Sequence, residues 1–259
     1  MNLSPVSLLS EYLHLFQFNI HTAMMHHKLK RIAPQIKGRW LDIGAGDLPY
    51  KKYFASADEY LTTNTKRHYK TKEIEQLEKQ TTYWIEDGKE LPLPDNSLDG
   101  VACFQVLSVI DKPVDFFREM NRVLKPGGKL ILTTDFIYPA WSKEDRYRHT
   151  AFSLKKLSES TGFRVEVIES FGGFGSTICA LYMRYLRSFP EIWKMKNTIA
   201  KTLSAILYLL LLLFLPILSL ASMLIFQIEK NSTKNTDFTF NLFLVATRKA
   251  PRLINESLD

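Results

Sequence analysis

Cysteine is scarce in this chain: only Cys103 and Cys179 occur, each beside an apolar run, with no Cys-x-x-Cys spacing and no paired histidine. A disulfide framework and a structural zinc site are thereby excluded, and both thiols read as small buried hydrophobes of a reducing compartment. Met1 to Phe18 lacks the basic stretch followed by a continuous apolar one that a secretory signal needs, so no export is expected. No internal repeat is present. Charge of one sign is not concentrated either: the net charge is +7 and the pI near 9.2, but 34 basic and 27 acidic residues are intermixed through most of the sequence. Charge alone therefore gives no reason to expect a nucleic-acid partner. His26 and His27 are adjacent, so on a helix they point in different directions, and no carboxylate is spaced to join them; no metal is expected. With 259 residues, 46% hydrophobic and 24% charged, the chain has room for one generous domain, or one domain and an appendage.

What is present begins with Trp40-Leu41-Asp42-Ile43-Gly44-Ala45-Gly46-Asp47, a buried strand running into a glycine turn with an acid near the strand's end. Such a turn suits a nucleotide-type cofactor, but dinucleotide folds place a third glycine where this chain has Pro49. Asp42 points the same way, since a carboxylate repels a diphosphate and attracts a cation such as a sulfonium or an ammonium. On these eight residues alone, an ordinary strand-turn-helix that binds nothing stays open.

From Gly38 the pattern alternates: strand Arg39 to Ile43, helix near Tyr50 to Ala55, strand Glu59 to Thr63, Tyr83 to Ile85, strand Gly100 to Gln105, helix Pro113 to Leu124, the turn Lys125-Pro126-Gly127-Gly128 and strand Lys129 to Thr134. Ser153 is expected to cap a short helix that Gly162 ends, followed by a strand at Arg164 to Ile168. One or two helices are expected from Ser4 to Ile32. Strands alternating with helices predict an α/β fold with a mostly parallel, doubly wound sheet.

Three motifs follow one another in order: the glycine turn, Asp87-Gly88 with Leu91-Pro92-Leu93-Pro94-Asp95-Asn96-Ser97, and Lys125-Pro126-Gly127-Gly128. Each has a plain structural reading as a turn-rich loop or a helix stop, but neither explains their co-occurrence. Together, over residues 38 to 169, they resemble the class I S-adenosylmethionine-dependent methyltransferases, in particular the bacterial methyltransferase type 11-like group. The resemblance implies a Rossmann-like, seven-stranded methyltransferase sheet with S-adenosyl-L-methionine as cofactor. It also implies that Asp42, Gly44 and Gly46 line the methionine portion and that Asp87, with Gly88 beside it, accepts from the adenine amino group. Gln105, after the fourth strand, falls on the cofactor pocket. The family's second strand ends in an acid that takes the ribose hydroxyls; here the matching residue is Asn64, which exchanges a charge-assisted contact for neutral ones at a cost of about 1 kcal/mol. Ser108-Val109 replaces the Glu-His of many relatives.

Methyl transfer from a sulfonium is an in-line displacement, so positioning supplies much of the catalysis, and a base is needed only when the nucleophile arrives protonated. The rim after the fifth strand, Asp135 to Tyr138 and Asp145 to Thr150, offers His149 as the candidate base and Arg148 as the candidate anchor for an acceptor's phosphate or carboxylate. The alternative is that both residues tie a lid to the core.

Leu203 to Ile228 is nearly uninterrupted apolar sequence with Pro216 near its middle, and Phe238 to Thr247 then reads as a strand again. If that strand and Arg164 to Ile168 share one sheet, a single membrane crossing is excluded. A hairpin of half-length helices broken near Pro216 and dipping into one leaflet satisfies both facts. Arg184, Arg187, Lys194, Lys196 and Lys201, with Tyr182, Tyr185 and Trp193, suit an anionic headgroup layer. A soluble cap or dimer surface, and a single-pass anchor, are the alternatives.

The expected organisation is N-terminal helices over 1–37, a methyltransferase core over 38–180, a helical insert over 181–236, the last core strand over 237–250 and a tail over 251–259. The expected activity is methyl transfer to an amphipathic or lipid-linked acceptor (a polysaccharide precursor, lipid or quinone) on the cytoplasmic side of the cell membrane, by a peripheral or monotopic protein. Two other readings stand: a non-catalytic binding or scaffold protein, and a soluble small-molecule methyltransferase whose insert is a dimer surface or substrate lid.

Overall fold

The computed structural model describes residues 19–86, 90–140, 142–186, 196–231 and 236–250. Two compact units arise. The larger comprises residues 28–136, 140–169 and 241 onward; the smaller comprises the segment up to residue 27, residues 137–139 and residues 170–240.

The larger unit is built on seven strands: β1 (Arg39–Ile43), β2 (Glu59–Asn64), β3 (Tyr83–Trp84), β4 (Leu98–Phe104), β5 (Leu124–Asp135), β6 (Phe163–Ser170) and β7 (Asn241–Arg248). Their order in the sheet is β3-β2-β1-β4-β5-β7-β6, with β1 to β5 parallel and β7 antiparallel to β5. The sequence expectation of an α/β doubly wound sheet, and of β6 and β7 as neighbours at its antiparallel edge, is borne out. Parallel strands are covered on both faces, which is why β1 and β4 are almost wholly buried rather than alternating; antiparallel β7 beside them is buried in the same way.

Four helices carry residues of this unit: α1 (Ile20–Ile32), α2 (Thr71–Glu78), α3 (Pro113–Val123) and α4 (Ala151–Ser160). In α3, proline sits in the first turn and Phe116, Phe117, Met120 and Val123 recur at helical spacing, all buried in the main core with Leu41, Val101, Leu130 and Leu244. Each such side chain contributes roughly 1.5–3 kcal/mol on burial. Arg122 at the helix's end joins the Leu-Pro-x-Pro loop to it. Its guanidinium donates to Leu91 O and Leu93 O and pairs with Glu119 and Asp95, while Glu119 accepts the Leu91 N–H at 2.6 Å. That loop is thus a core plug through buried Leu91 and Leu93. In the C-terminal part of α1, buried Lys28 pairs with Glu169 of β6 at 2.8 Å, and Arg31 reaches the same carboxylate oxygen.

Three local expectations are corrected. No α-helix follows the glycine turn; Lys51–Phe54 is a single 3-10 turn, because Pro49 and the left-handed Leu48 interrupt the chain's entry. Lys125 to Gly128 is not a free turn, since β5 already begins at Leu124, which pairs with Leu98 across an irregularity in the ladder. Ser153 is not the cap of α4: Thr150 is, its hydroxyl accepting the Ser153 N–H at 3.1 Å. The segment Ser4 to Phe18 lies outside the described residues.

The smaller unit contains α5 (Phe174–Leu186), α6 (Thr198–Leu213) and α7 (Leu215–Glu229). Asn197 caps α6, and Pro216 falls in the first turn of α7, where its missing N–H costs nothing. The helices are bent by 65° at the break beside Phe214, so the expected interruption occurs two residues earlier than Pro216, and the pair is an elbow rather than two antiparallel arms. No single described helix is long and apolar enough to cross a membrane, whereas the bent pair passes that test together. Glu229 closes the unit by accepting the backbone N–H groups of Gly173, Gly175 and Ser176 at 2.8–3.1 Å.

Candidate active site

At the C-terminal ends of β1, β2 and β4, within the larger unit, lies a cavity of about 530 Å³. This is where ligands bind in open parallel sheets, and the size suits a nucleoside-sized group. Gly44, Asn64 and Gln105, all expected from the sequence, line it.

The glycine turn shapes its floor. Gly44 has φ +71°, and a Cβ there would lie 2.5 Å from Val106 Cγ2, so only glycine leaves the backbone free to approach a ligand. Gly46 is tied to β2: its N–H donates to Asn64 Oδ1 at 2.9 Å, and Asn64 Nδ2 donates to Thr81 Oγ1 at 2.8 Å and leans on Gly46 O at 3.5 Å. Asn64 is buried with its amide turned to the protein on both sides. Gln105 takes a left-handed conformation at φ +61°, uncommon outside glycine. It is held there because its N–H donates to Thr133 O at 3.1 Å and its Nε2 to Thr133 Oγ1 at 3.0 Å. The cavity wall therefore stores some backbone strain, as functional sites do.

Asp42 lies beneath this floor rather than on the lining. It is 2% exposed, Tyr60 donates to its Oδ2 at 2.6 Å, and Oδ1 has no hydrogen-bond partner among the described residues. Burial pushes its carboxyl up to about 7, with the Tyr60 hydrogen bond opposing the shift. Burial, then the Asp42 and Asp47 charges, push the Tyr50 phenol up to about 12.

On the opposite rim the two sequence candidates behave differently from expectation. Arg148 is no open anchor: it donates to both oxygens of Asp145, whose side chain is fully buried, and to Tyr147 O. That supports the lid-tying alternative. His149 is not on the cavity lining; its Nε2 is buried without a hydrogen-bond partner among the described residues, and burial lowers its pKa. The segment is strapped down by the Arg146 and Tyr147 N–H groups, both donating to Ser108 O, by the Tyr147 hydroxyl on Asp111 O, and by the Arg146–Asp111 ion pair. Residues that do line the cavity, and that sequence reasoning missed, are Arg67, Tyr69, Glu86, Asp111, Glu144 and Arg146. Glu86 carried a signal as the first of two adjacent acids after β3, and Arg146 lies inside the expected rim Asp145 to Thr150. Asp87 and Gly88 themselves lie outside the described residues. Among the described residues no cluster of side chains could hold a metal ion.

Residues 41–132 match the family model described as methyltransferase domain. A probable S-adenosylmethionine-dependent methyltransferase of Mycolicibacterium smegmatis is 38% identical over 110 residues, 39% of this chain and 42% of that protein. A malonyl-acyl-carrier-protein O-methyltransferase of Hahella chejuensis is 30% identical over 121 residues, 42% of this chain and 40% of that protein. The matches thus span less than half of these relatives. Among solved structures, an S-adenosylmethionine-dependent methyltransferase from Mesorhizobium loti shares the fold with a TM-score of 0.53 at 16% identity, over 89% of this chain and all of that one. Residues 41–132 are thus similar to a methyltransferase domain, and the fold that carries them is a Rossmann-like α/β sheet. The site fits S-adenosylmethionine as cofactor: a glycine cradle a Cβ would fill, an unsatisfied buried carboxylate oxygen beneath it, and no α-helix N-terminus after the turn to receive a diphosphate.

Proposed function

We propose that the protein transfers a methyl group from S-adenosylmethionine to an amphipathic or lipid-linked acceptor, such as a polysaccharide precursor, a lipid or a quinone, at the cytoplasmic face of a membrane. The observation that carries this reading is the presence, in one chain, of a nucleoside-sized cavity at the strand ends and a broad exposed apolar face on the helices of the smaller unit.

The cofactor supplies an electrophilic methyl on a sulfonium. The chain's residues hold the partners in line: the Gly44 turn admits close approach, the Asp42 carboxylate favours a cation, and Gln105 fixes the wall after β4. For a hydroxyl acceptor, Asp111 and Glu144 are the carboxylates on the cavity lining able to take its proton, whereas His149 stands off the lining.

The membrane part rests on α6 and α7. Leu213 and Ile228 are 74% and 78% exposed, and Ile199, Leu203, Ile217 and Leu220 are open as well, far more contiguous apolar surface than a water-facing helix pair carries. At 16 and 15 residues the helices reach only about 24 and 23 Å, short of a hydrocarbon core near 30 Å. Since β6 before the helices and β7 after them are neighbours in one sheet, the elbow must enter and leave on one side. Arg184, Lys196 and Lys201 suit an anionic surface beside it.

Incubating the protein with methyl-labelled S-adenosylmethionine and host membranes should move label into the solvent-extractable fraction, and the protein should float with anionic vesicles. Label appearing only in water-soluble products, with no flotation, contradicts the lipid-surface reading and favours a soluble enzyme with a covered helix face. A non-catalytic role draws support from Asn64 and from Ser108-Val109 in place of Glu-His. It would be upheld if calorimetry shows no binding at millimolar S-adenosylmethionine.

A further inference from the structure

The wall of the cavity next to β2 has a polar arrangement of its own. Asn64, at the strand's end, has its amide committed to Gly46 and Thr81, so its oxygen is already accepting and its nitrogen already donating. Beyond it, Thr65, Arg67, Tyr69 and Glu86 face the cavity. Glu86 is brought there by β3: the Ile85 N–H donates to Asn64 O at 2.9 Å, and the Thr65 hydroxyl donates to Glu86 O at 3.3 Å. The backbone of Glu86 is thereby fixed beside the end of β2, and the residue, exposed, is part of the cavity lining. The Tyr69 hydroxyl lies 3.8 Å from where a Cβ on Gly46 would be, on the same wall.

We infer that Glu86, not Asn64, recognises the ribose diol of the bound nucleoside, with Arg67 and Tyr69 as its donor partners. The inference rests on the cofactor reading above. A vicinal diol presents two hydroxyls, each a donor and an acceptor, and is best matched by an anionic acceptor flanked by donors. On this wall the carboxylate of Glu86 is the anionic acceptor, while the Arg67 guanidinium and the Tyr69 phenol supply donors. The acid missing at the end of β2 is therefore provided from the end of the adjacent strand, and Asn64 serves to brace the glycine turn.

Calorimetry with S-adenosylhomocysteine and with its 3′-deoxy analogue tests this without any acceptor. Glu86→Gln should weaken S-adenosylhomocysteine binding at least about fivefold and leave binding of the 3′-deoxy analogue much less affected, since the group that Glu86 contacts is gone from the ligand. The residue is exposed, so the variant should melt with the wild type, which confirms that the affinity change is local. Glu86→Gln binding S-adenosylhomocysteine within twofold of wild type overturns the inference, as does an equal loss for both ligands. A wild-type protein that binds neither ligand overturns the cofactor reading together with it.

Discussion

The Tyr60 hydroxyl donates to one oxygen of Asp42 at 2.6 Å and so satisfies half of a carboxylate that is otherwise sealed from water. The Tyr60 phenol is itself pushed up, by burial first and then by the Asp42 charge. A buried acid with one unsatisfied oxygen is costly unless it is protonated or meets a cation.

The pH dependence follows from the sign of the Asp42 shift. Its ordinary value of 3.8 is raised to about 7 in the folded chain, so between those values the native state holds a proton that the unfolded state has lost. This group's contribution to stability is therefore full below pH 3.8, falls as pH rises and levels off above about 7, a change of at most roughly 4 kcal/mol. Urea denaturation should find Asp42→Asn gaining on wild type from pH 5 to pH 8; a constant difference refutes the raised value. Affinity for a sulfonium cofactor should run the other way, rising through pH 7 as the carboxylate forms, with proton uptake or release visible in calorimetry at differing buffer ionisation enthalpies.

Restoring an acid at the end of β2 should fail. In Asn64→Asp the Gly46 N–H keeps its acceptor, but the donor to Thr81 Oγ1 and Gly46 O is lost and a charge is left 2% exposed. A loss of about 1–3 kcal/mol in chemical denaturation is expected, with no gain in cofactor affinity. Tighter binding at unchanged stability would show that the amide does not brace the turn.

The sheet was legible in the sequence because each buried strand is an apolar run bounded by turn residues, and the glycine turn was legible because its close contact with Val106 demands glycine. What the sequence concealed depends on how side chains are spent. Arg148 and Arg146 are alike in a one-dimensional reading, yet one closes on buried Asp145 while the other pairs with exposed Asp111 on the cavity rim. Asn64 was rightly placed at the end of β2, but its amide's commitment to Gly46 depends on a contact 18 residues away in the chain. Periodicity also cannot show that Pro49 and Leu48 reduce the expected helix to the turn Lys51–Phe54.

Those two arginines should separate on substitution. Arg148→Met leaves the Asp145 carboxylate, 0% exposed, without its bidentate partner and should cost about 2–4 kcal/mol. Arg146→Met breaks a pair whose side chains are 44% and 51% exposed, so its cost should stay below about 1 kcal/mol. Thermal melts decide between them: equal shifts would mean that the Arg148–Asp145 pair does not hold the segment down.

The elbow's attachment is tested at Glu229, whose carboxylate accepts from Gly173, Gly175 and Ser176 as α5 begins. Three charge-assisted bonds converge on one side chain, and an amide can replace at most one oxygen's worth of them. A Cβ on Gly175 would lie 3.0 Å from this carboxylate and 2.9 Å from Ile225, so Gly175→Ala should loosen the same joint from the other side. Glu229→Gln should cost about 1–2 kcal/mol, expressed as faster hydrogen exchange at the amides of residues 173–176 with exchange in β4 and β5 unchanged. If exchange quickens equally in the sheet, Glu229 supports the whole fold rather than the root of the helical elbow. If it quickens nowhere, the three bonds contribute nothing to holding α7 against α5.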